Sequence, residues 1–404
     1  MENSVSIVLI GIGGYGNTYL KKLLDESQQM KARIAGVVDI HPERSENYDR
    51  IVENNIPVFA TIEEFYASNE AELAIISTPI HHHASQTCYA LEHGSNVLCE
   101  KPMCASVEEA NKIIEARNRT GKFVAIGFNW SYSPAVHTLK QDIMSGIFGK
   151  PKRMKTIVNW PRDEEYYKRN TWAGRLYSDE GDAILDSVAN NATSHFLHHM
   201  FYLLGSKKDK SVRLHTVTAE LYRANPIESF DTCAVTVTTE EDIEVMFYAT
   251  HAVKDSLGPQ FIYEFEQATL YSTKDENGNE VIARFQDGSE KVYPDSEKDH
   301  LQKLTTCIEA TAKGNHDIPC GPEAALPHLL CITAMHESSK IIPFPETLIK
   351  RDEETNVTWV EGLNETLVQC YEKWCLPSEI AVDWAQGGET IDFRKNKINN
   401  GNQI

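Results

Sequence analysis

Apolar runs alternate with amphipathic stretches along the first 128 residues. Six runs have the unbroken apolar character of buried strands, and helix-like stretches separate them. Two of these stretches begin with a capping box, in which a Thr or Ser precedes Glu by three residues: Thr61 with Glu64, and Ser106 with Glu109. This order predicts a parallel sheet with right-handed crossovers. The predicted strands are residues 5–10, 34–38, 57–59, 73–77, 96–99 and 123–127.

The pattern changes after residue 128. Pro134 begins a helix, and from residue 214 to 293 alternating apolar positions predict strands with turns at 276–278 and 287–288. Further helices are predicted near 297–312, 322–339 and 361–374. The fold class is therefore α/β followed by α+β with a large, open, mostly antiparallel sheet. We predict three ranges: a nucleotide-binding domain at 1–128, an α+β domain at 129–345 and a C-terminal extension at 346–404.

A glycine-rich turn directly follows the first predicted strand. Gly11, Gly13 and Gly16 have the G-x-G-x-x-G spacing, and a helix is predicted next, at 15–24. The first glycine permits the tight turn, the second lets the backbone approach a pyrophosphate, and the third lets the helix pack closely on the strand. The helix N-terminus then binds the phosphates. This motif predicts a Rossmann domain with cofactor contacts from Gly11, Ile12, Gly13, Gly14, Tyr15 and Gly16.

A carboxylate ends the second predicted strand. Asp39 follows Val37 and Val38, at the position where an acid binds the adenosine ribose hydroxyls. Its charge repels a 2′-phosphate, and no Arg or Ser directly follows it, although Arg44 lies near. The sequence therefore favours NAD over NADP as the cofactor.

Composition narrows the class of partner. The net charge of −20 over 404 residues opposes binding to nucleic acids and anionic membranes. Nine cysteines without a CxxC pair, and an N-terminus without a secretory pattern, predict a reduced cytoplasmic protein. No stretch reaches the roughly 20 apolar residues that span a bilayer. Histidines at 81–83, 195, 198 and 199 lack zinc-site spacing, so no metal is predicted.

Three further segments follow predicted strands at the edge where a parallel sheet binds ligands. They contribute, in chain order, Thr78, Pro79 and His83, then Glu100 and Lys101 before Pro102, then Asn129. Together with the glycine turn they resemble the family of glucose-fructose oxidoreductase, inositol dehydrogenase and MocA, over roughly residues 5–345. The resemblance implies that these residues contact the cofactor. It also implies that Lys101 lies beside the nicotinamide and the reacting carbon of a sugar or polyol, where it relays a proton or polarises a carbonyl.

The second catalytic segment of that family is an aspartate followed four residues later by a histidine, on a helix. Two alignments are possible here. One places Asn191 on the aspartate and His195 on the histidine; the other places Asp186 on the aspartate and Asn190 on the histidine. We favour the first, because it retains a histidine as general base and because residues four apart share a helical face. Asn191 lacks the aspartate's charge, which Asp186 could supply.

A loop before this segment is rich in aromatic and basic residues. The resemblance places substrate contacts there, since aromatic faces stack on sugar rings and arginines bind hydroxyls or carboxylates. For any one aromatic residue, packing in the core is an equal alternative. The candidate substrate residues are Trp160, Arg162, Tyr166, Trp172 and Arg175.

These residues predict an NAD-dependent oxidoreductase acting on a sugar, polyol or glycoside. Because the family aspartate is missing in the favoured alignment, a second possibility is a lyase, epimerase or glycosidase that oxidises its substrate transiently and returns the hydride. A third is a non-enzymatic NAD-binding regulator, which the presence of both Lys101 and His195 disfavours. The resemblance further implies a homodimer or homotetramer, with one face of the antiparallel sheet lining the substrate site and the other forming the oligomer contact.

Overall fold

A computed structural model of the chain describes residues 4–273 and 280–395. The predicted turn at 276–278 and the end of the extension, 396–404, lie outside these residues. Contacts divide the chain into two compact units: unit 1 contains residues 1–133 and 299–326, and unit 2 contains 134–298 and 327–404. The units differ from the three predicted ranges, because the helix after the antiparallel strands belongs to unit 1 and the C-terminal extension belongs to unit 2.

The elements of the first part alternate as the pattern predicts. The strands are β1 Val5–Ile10, β2 Ala32–Val38, β3 Val58–Phe59, β4 Leu73–Ile76, β5 Asn96–Cys99 and β6 Val124–Ile126. The helices are α1 Gly16–Glu26, α2 Tyr48–Glu53, α3 Ile62–Tyr66, α4 Ile80–Glu92 and α5 Val107–Thr120. Residues Pro42–Arg44 form a short 3₁₀ turn before α2.

Strands dominate the second part. Its first elements are α6 Pro134–Ser145, β7 Pro151–Asn159, α7 Glu164–Lys168, α8 Ser194–Leu203, β8 Leu214–Arg223, β9 Thr232–Thr239 and β10 Glu244–Thr250. They are followed by β11 Leu257–Phe265, β12 Ala268–Ser272, β13 Val281–Phe285, β14 Glu290–Tyr293, α9 Gln302–Lys313 and α10 Pro322–Ser338. The last are β15 Ile341–Pro343, β16 Ile349–Arg351, β17 Thr358–Val360, α11 Leu363–Lys373 and β18 Ile391–Asp392.

Unit 1 is built on a six-stranded parallel sheet in the order β3-β2-β1-β4-β5-β6, which is the doubly wound order of a Rossmann fold. The predicted capping boxes explain two of its helix starts. The Ser106 hydroxyl accepts a hydrogen bond from the Glu109 backbone N–H, and the Glu109 carboxylate accepts one from the Ser106 N–H. Thr61 likewise accepts from the Glu64 N–H at 3.2 Å. Local sequence thus fixes where these helices begin.

Unit 2 is built on a ten-stranded sheet in the order β14-β13-β12-β11-β7-β10-β9-β8-β15, with β18 also paired to β8. The sheet is mostly antiparallel, as predicted, but β7 pairs with β10, and β8 with β15, in parallel. The predicted turn at 287–288 joins β13 to β14, and Gly288 there has a φ of +86°.

The predicted C-terminal extension is an integral part of unit 2. Leu363 and Leu367 of α11 pack in one buried cluster with Ile157 of β7. The preceding residue, Thr156, faces the other side of the sheet, where its hydroxyl lies 3.3 Å from the sulfur of Met200 on α8. The chain's own helices therefore cover both faces of the sheet at β7, so β7 cannot form an oligomer contact. That the open face of the sheet forms an oligomer contact stays a prediction for the other strands.

Among residues 4–273 and 280–395, no helix is long and apolar enough to cross a membrane.

Candidate functional site

The glycine turn of unit 1 is tight at two of its glycines. Gly11 has a φ of +80°, and a Cβ there would lie 2.8 Å from the carbonyl oxygen of Ser77. A Cβ on Gly16 would lie only 2.1 Å from the carbonyl oxygen of Gly11. These two glycines therefore let α1 start directly against the end of β1, as the motif predicts.

The other side of the same turn is open. A Cβ placed on Gly13 or Gly14 would meet no atom of the described residues within 4 Å, so a ligand can approach the peptide groups there closely. Tyr15 precedes α1, and its ring packs edge-on against Tyr19 with centroids 5.5 Å apart. The predicted role of Gly13, close backbone approach, agrees with this open space.

Asp39 links the second strand to the glycine turn. Its Oδ2 accepts a hydrogen bond from the Ile12 N–H at 2.9 Å, and its Oδ1 accepts one from the His41 N–H at 2.8 Å. Each carboxylate oxygen can accept a second bond. Asp39 is thus held beside the turn with capacity left for ribose hydroxyls.

His83 connects two of the predicted ligand-binding segments. It is buried on α4, with Nε2 2.9 Å from the carbonyl oxygen of Thr78 and Nδ1 2.8 Å from that of Pro102. Burial lowers the pKa of His83. Pro79 caps α4, and the Thr78 hydroxyl donates to Gln86 at 2.6 Å. The ring therefore positions the turn after β4 relative to the turn that carries Lys101.

Glu100 is buried and paired within the fold and does not form a solvated charge pair with Lys101. Its Oε1 accepts a hydrogen bond from the Tyr19 hydroxyl at 2.5 Å and from the Nζ of Lys303. Its Oε2 accepts from the backbone N–H of Lys101 at 3.2 Å. Burial opposes ionisation of Glu100, but the Lys303 ammonium outweighs it and holds the pKa of Glu100 below its usual range.

Lys303 was not singled out in the sequence. It lies on α9 with a fully buried side chain, donates to the Gly127 carbonyl at 3.0 Å, and has its Nζ 4.6 Å from the centroid of the Tyr15 ring. A signal existed, because Lys303 shares the buried face of its helix with Cys307 and Ala310. A lysine on an apolar helical stripe indicates a buried partner carboxylate.

Asn129 begins a 3₁₀ turn after β6, and its Nδ2 lies 3.3 Å from Nδ1 of His300. Lys101 is half-buried and joined to Pro102 by a cis peptide bond. Unit 1 thus brings together the glycine turn, the Glu100–Lys101 turn and the segments of His83 and Asn129.

In unit 2, the two candidates for the missing aspartate contact each other. Nδ2 of Asn191 donates to Oδ1 of Asp186 at 2.8 Å, and Oδ2 of Asp186 accepts from the Gly174 N–H at 2.6 Å. The helical interpretation of Asn191 is wrong: α8 begins at Ser194, and residues 188–193 form turns. The favoured alignment treats these turns as helix, whereas the turns fold Asn191 back onto Asp186.

His195 is the second residue of α8 and is half-buried. His198 and His199, farther along the helix, are packed in the core: His198 stacks on Tyr202, and His199 lies 6.5 Å from Phe261. Burial lowers the pKa of both, that of His199 to about 3. Within the described ranges, no group of three or more His, Cys, Asp or Glu is placed to hold a metal ion.

The candidate substrate residues of unit 2 fall into two groups. Trp160 donates its indole N–H to the Gly258 carbonyl at 3.0 Å, while Arg162 and Tyr166 lie beside each other, with the guanidinium 5.0 Å from the ring centroid. Arg175 pairs with Asp179 at 2.7 Å and with Glu228 at 3.4 Å, and Trp172 lies near Arg169. Arg162 and Tyr166 thus contact each other, whereas Arg175 is paired with two carboxylates and also lines a cavity of unit 2.

Comparison with known proteins relates the N-terminal part of the chain to a family. Residues 5–128 match the Gfo/Idh/MocA model, described as an oxidoreductase family with an NAD-binding Rossmann fold. This part of the chain therefore has the NAD-binding domain of that family. The chain is 24% identical over 165 residues to an inositol 2-dehydrogenase/D-chiro-inositol 3-dehydrogenase of Shouchella clausii, covering 41% of this chain and 47% of the relative.

Two other similar proteins differ in their chemistry. A 2,7-anhydro-N-acetylneuraminate hydratase of Mediterraneibacter gnavus is 28% identical over 148 residues, covering 36% of this chain and 37% of the relative. The crystal structure of the WlbA dehydrogenase of Chromobacterium violaceum, solved with NADH and UDP-GlcNAcA, superposes with a TM-score of 0.70 at 21% identity, over 83% of this chain and 94% of that one. The matches span less than half the length of these two curated relatives. The structural likeness shows the fold.

An NAD molecule fits the residues of this chain. The open side of Gly13 and Gly14 accommodates a pyrophosphate, and Asp39 retains acceptor capacity for a ribose. The segments of Thr78, Glu100 and Asn129 follow β4, β5 and β6 of the same sheet, where ligands of doubly wound folds bind.

Proposed function

We propose that this protein is an NAD-dependent oxidoreductase that transfers hydride between the nicotinamide and a hydroxyl-bearing carbon of a sugar, polyol or glycoside. The observation that carries the proposal is the turn of Lys101 in unit 1. Its backbone N–H is bound by Glu100, a carboxylate that is itself buried and paired with Lys303. Burying an ion pair costs desolvation free energy, which a purely structural turn does not require. A catalytic side chain, in contrast, needs a backbone that is held in one position.

NAD, when bound, supplies the hydride acceptor or donor, and the residues of the chain supply binding and proton transfer. Asp39 binds the adenosine ribose and disfavours the 2′-phosphate of NADP. Lys101 donates a hydrogen bond to the oxygen on the reacting carbon. That bond strengthens when the oxygen gains negative charge.

His195 is the proposed general base in unit 2. An imidazole can accept the hydroxyl proton in one direction and return it in the other. Asp186 supplies the negative charge that Asn191 lacks, and the Asn191–Asp186 hydrogen bond leaves that charge in place. The two residues together thus take the part of the family's single aspartate.

The relatives support this substrate class. The inositol dehydrogenase acts on a polyol, and the WlbA structure contains a nucleotide sugar acid. The hydratase favours a second candidate function, in which the cofactor is reduced and reoxidised within one turnover and no net redox change results. The predictions of a homo-oligomer and of a cytoplasmic location remain predictions.

The experiment that separates these functions measures NADH and product in the same mixtures. Purified protein receives NAD and, separately, myo-inositol, glucose 6-phosphate, UDP-N-acetylglucosamine and a set of glycosides. NADH formed together with an oxidised product supports the net dehydrogenase, and product without NADH supports the redox-neutral reaction. Binding of NAD with neither product would support the regulator instead.

A lysine variant tests the assignment of Lys101. Lys101→Ala should abolish turnover and leave NAD bound, since the glycine turn and Asp39 are intact. Lys112→Ala is the matched control, because Lys112 is a solvent-exposed lysine of α5 that pairs with Glu108 of the same helix. Turnover that survives in Lys101→Ala at the level of the control contradicts the assignment.

A further inference from the structure

His251 lies at the end of β10 in unit 2 and is held from several sides. Its side chain is buried, and its Nδ1 is 2.8 Å from the carbonyl oxygen of Trp160. Its backbone N–H donates to the carbonyl of Asp231 at 2.8 Å, and its carbonyl accepts from the Arg162 N–H at 3.3 Å. The position and direction of the ring are therefore fixed by backbone contacts.

The contact to Trp160 also fixes the tautomer. A carbonyl oxygen only accepts hydrogen bonds, so Nδ1 must carry the proton. Burial, assisted by the charges of Arg162 and Arg169, lowers the pKa of His251 to about 3, so the ring is neutral in solution near pH 7. Nε2 then has a lone pair, and no residue among 4–273 and 280–395 donates a hydrogen bond to it.

Two side chains near His251 have buried donors that also lack a hydrogen-bond partner among the described residues. Nε of Arg162 and the hydroxyl of Tyr167 are buried and make no hydrogen bond to the described part of the chain. The Tyr166 ring joins them, with centroids 5.6 Å from His251 and 5.2 Å from Tyr167. Asp186 is near enough to contribute to the raised pKa of both tyrosines, for which burial is the main cause.

Buried polar atoms in native proteins are nearly always paired, so one acceptor and two donors without partners on the neighbouring side chains that the structure describes indicate a polar ligand. The pattern is that of vicinal hydroxyls, each of which donates one hydrogen bond and accepts others. A carboxylate has no proton to offer Nε2 near pH 7. The cluster therefore matches the hydroxyl-bearing part of a carbohydrate.

We propose that His251 is a substrate-binding residue whose Nε2 accepts a hydrogen bond from one hydroxyl of the sugar or polyol, while Arg162 and Tyr167 donate to neighbouring oxygens. This inference rests on the proposed function and adds to it the residues that select the substrate. A site that offers a buried acceptor to a hydroxyl discriminates strongly against an analogue that lacks the hydroxyl, because the acceptor is then left unpaired.

The test measures ligand binding, so it does not depend on turnover. The NAD-loaded protein is titrated with myo-inositol, glucose 6-phosphate and UDP-N-acetylglucosamine by calorimetry, and with the monodeoxy analogues of whichever probe binds. His251→Phe keeps an aromatic ring and removes the Nε2 acceptor together with the Nδ1–H that donates to the Trp160 carbonyl. His336→Phe is the matched control, because His336 is a half-buried histidine of unit 2 whose Nε2 is buried and has no partner in the described ranges, but it packs against Phe230 outside the cluster.

The expected result is a specific loss. His251→Phe binds the probe about tenfold more weakly, the value of one hydrogen bond, and one deoxy analogue binds the wild type and the variant equally. His336→Phe binds the probe as the wild type does, and all three proteins bind NAD equally. Equal losses in both variants, unchanged binding in His251→Phe, or no binding of any probe to the wild type overturns the inference.

These outcomes are distinct from failure of the proposed function. Binding that depends on His251 without any product formed would contradict the oxidoreductase and leave the substrate-binding role intact. NADH formed at wild-type KM by His251→Phe would do the opposite.

Discussion

The amide of Asn191 donates to the carboxylate of Asp186 across 2.8 Å, and this contact joins two residues that the sequence presented as alternatives. Asp186 is 2% exposed and also accepts the Gly174 N–H, so its carboxylate is fixed on both oxygens. Asp186 therefore places a carboxylate beside Asn191, the position at which the favoured alignment expects an aspartate.

Asp186→Asn tests whether that charge matters for the reaction. An amide preserves size and can still bond to Asn191, but it cannot stabilise a protonated His195. We expect kcat to fall roughly 10²–10⁴-fold, with a smaller change in KM. Steady-state kinetics on the substrate found in the panel checks this. Asp209→Asn, at an exposed position, is the control, and equal kinetics in the two variants would remove Asp186 from the mechanism.

Asn191→Asp places two carboxylates at hydrogen-bond distance, and we expect this variant to be less stable than the wild type. Like charges raise the pKa of one carboxyl, so the folded variant retains a proton that the unfolded chain releases. A raised folded-state pKa gives stability that is present at low pH and lost as pH rises through that pKa. The deficit in unfolding free energy relative to the wild type should therefore be larger at pH 8 than at pH 5.

Urea unfolding of the wild type and Asn191→Asp at both pH values measures this difference. Asn118→Asp, on α5, shows the effect of adding a carboxylate at a solvent-exposed position. A deficit that does not change with pH would mean that the two side chains separate in the variant.

Lys303→Met tests the buried pair beneath the Lys101 turn. The variant leaves the Glu100 carboxylate buried without its cation, and breaking such a pair costs about 3–5 kcal/mol. The unfolding free energy should fall by that amount, and Glu100→Gln in the same chain should restore part of it. Lys313→Met, which removes an exposed lysine of the same helix, should cost less than about 0.5 kcal/mol. A double variant no more stable than Lys303→Met would contradict the ion-pair explanation.

The sequence predicts the starts of helices better than it predicts contacts between residues that are distant in the chain. The capping box of Ser106 and Glu109 spans four residues and predicts the start of α5, and the glycine spacing predicts the start of α1. The pair of Glu100 and Lys303 joins residues 203 positions apart, and nothing near Glu100 in the chain indicates its partner. The turn before α8 was misassigned for a related reason, since polar residues at 186–194 suit a helix start as well as the first turns of a helix.

The C-terminal extension shows the same limit. Its apolar positions predict a helix, but they do not indicate which surface the helix covers. In the structure the Tyr248 hydroxyl of β10 donates to the carbonyls of Cys370 and Cys375 at the end of α11, at 3.1 and 3.0 Å. Lys155 of β7 donates to the carbonyl of Tyr371 at 2.5 Å. The surface that α11 covers is thus formed by residues more than 100 positions earlier in the chain.

Two similar substitutions in the glycine turn should have different effects. Gly16→Ala places a methyl group 2.1 Å from the Gly11 carbonyl, so the turn must move and both stability and NAD affinity should fall. Gly13→Ala meets no atom of the described residues within 4 Å, so the melting temperature should stay within about 2 °C of the wild type, as expected for a change below about 0.5 kcal/mol.

The NAD affinity of Gly13→Ala should nevertheless fall at least about tenfold, because its methyl group occupies the space into which the pyrophosphate must come. Thermal unfolding and calorimetric titration with NAD on both glycine variants check these statements. Ala67→Gly, at the end of α3, is the control, since it also changes the side chain by one methyl group, here by removing it, at an unrelated site. If Gly13→Ala binds NAD like the wild type, the pyrophosphate does not approach this face of the turn, and the proposed cofactor site is wrong.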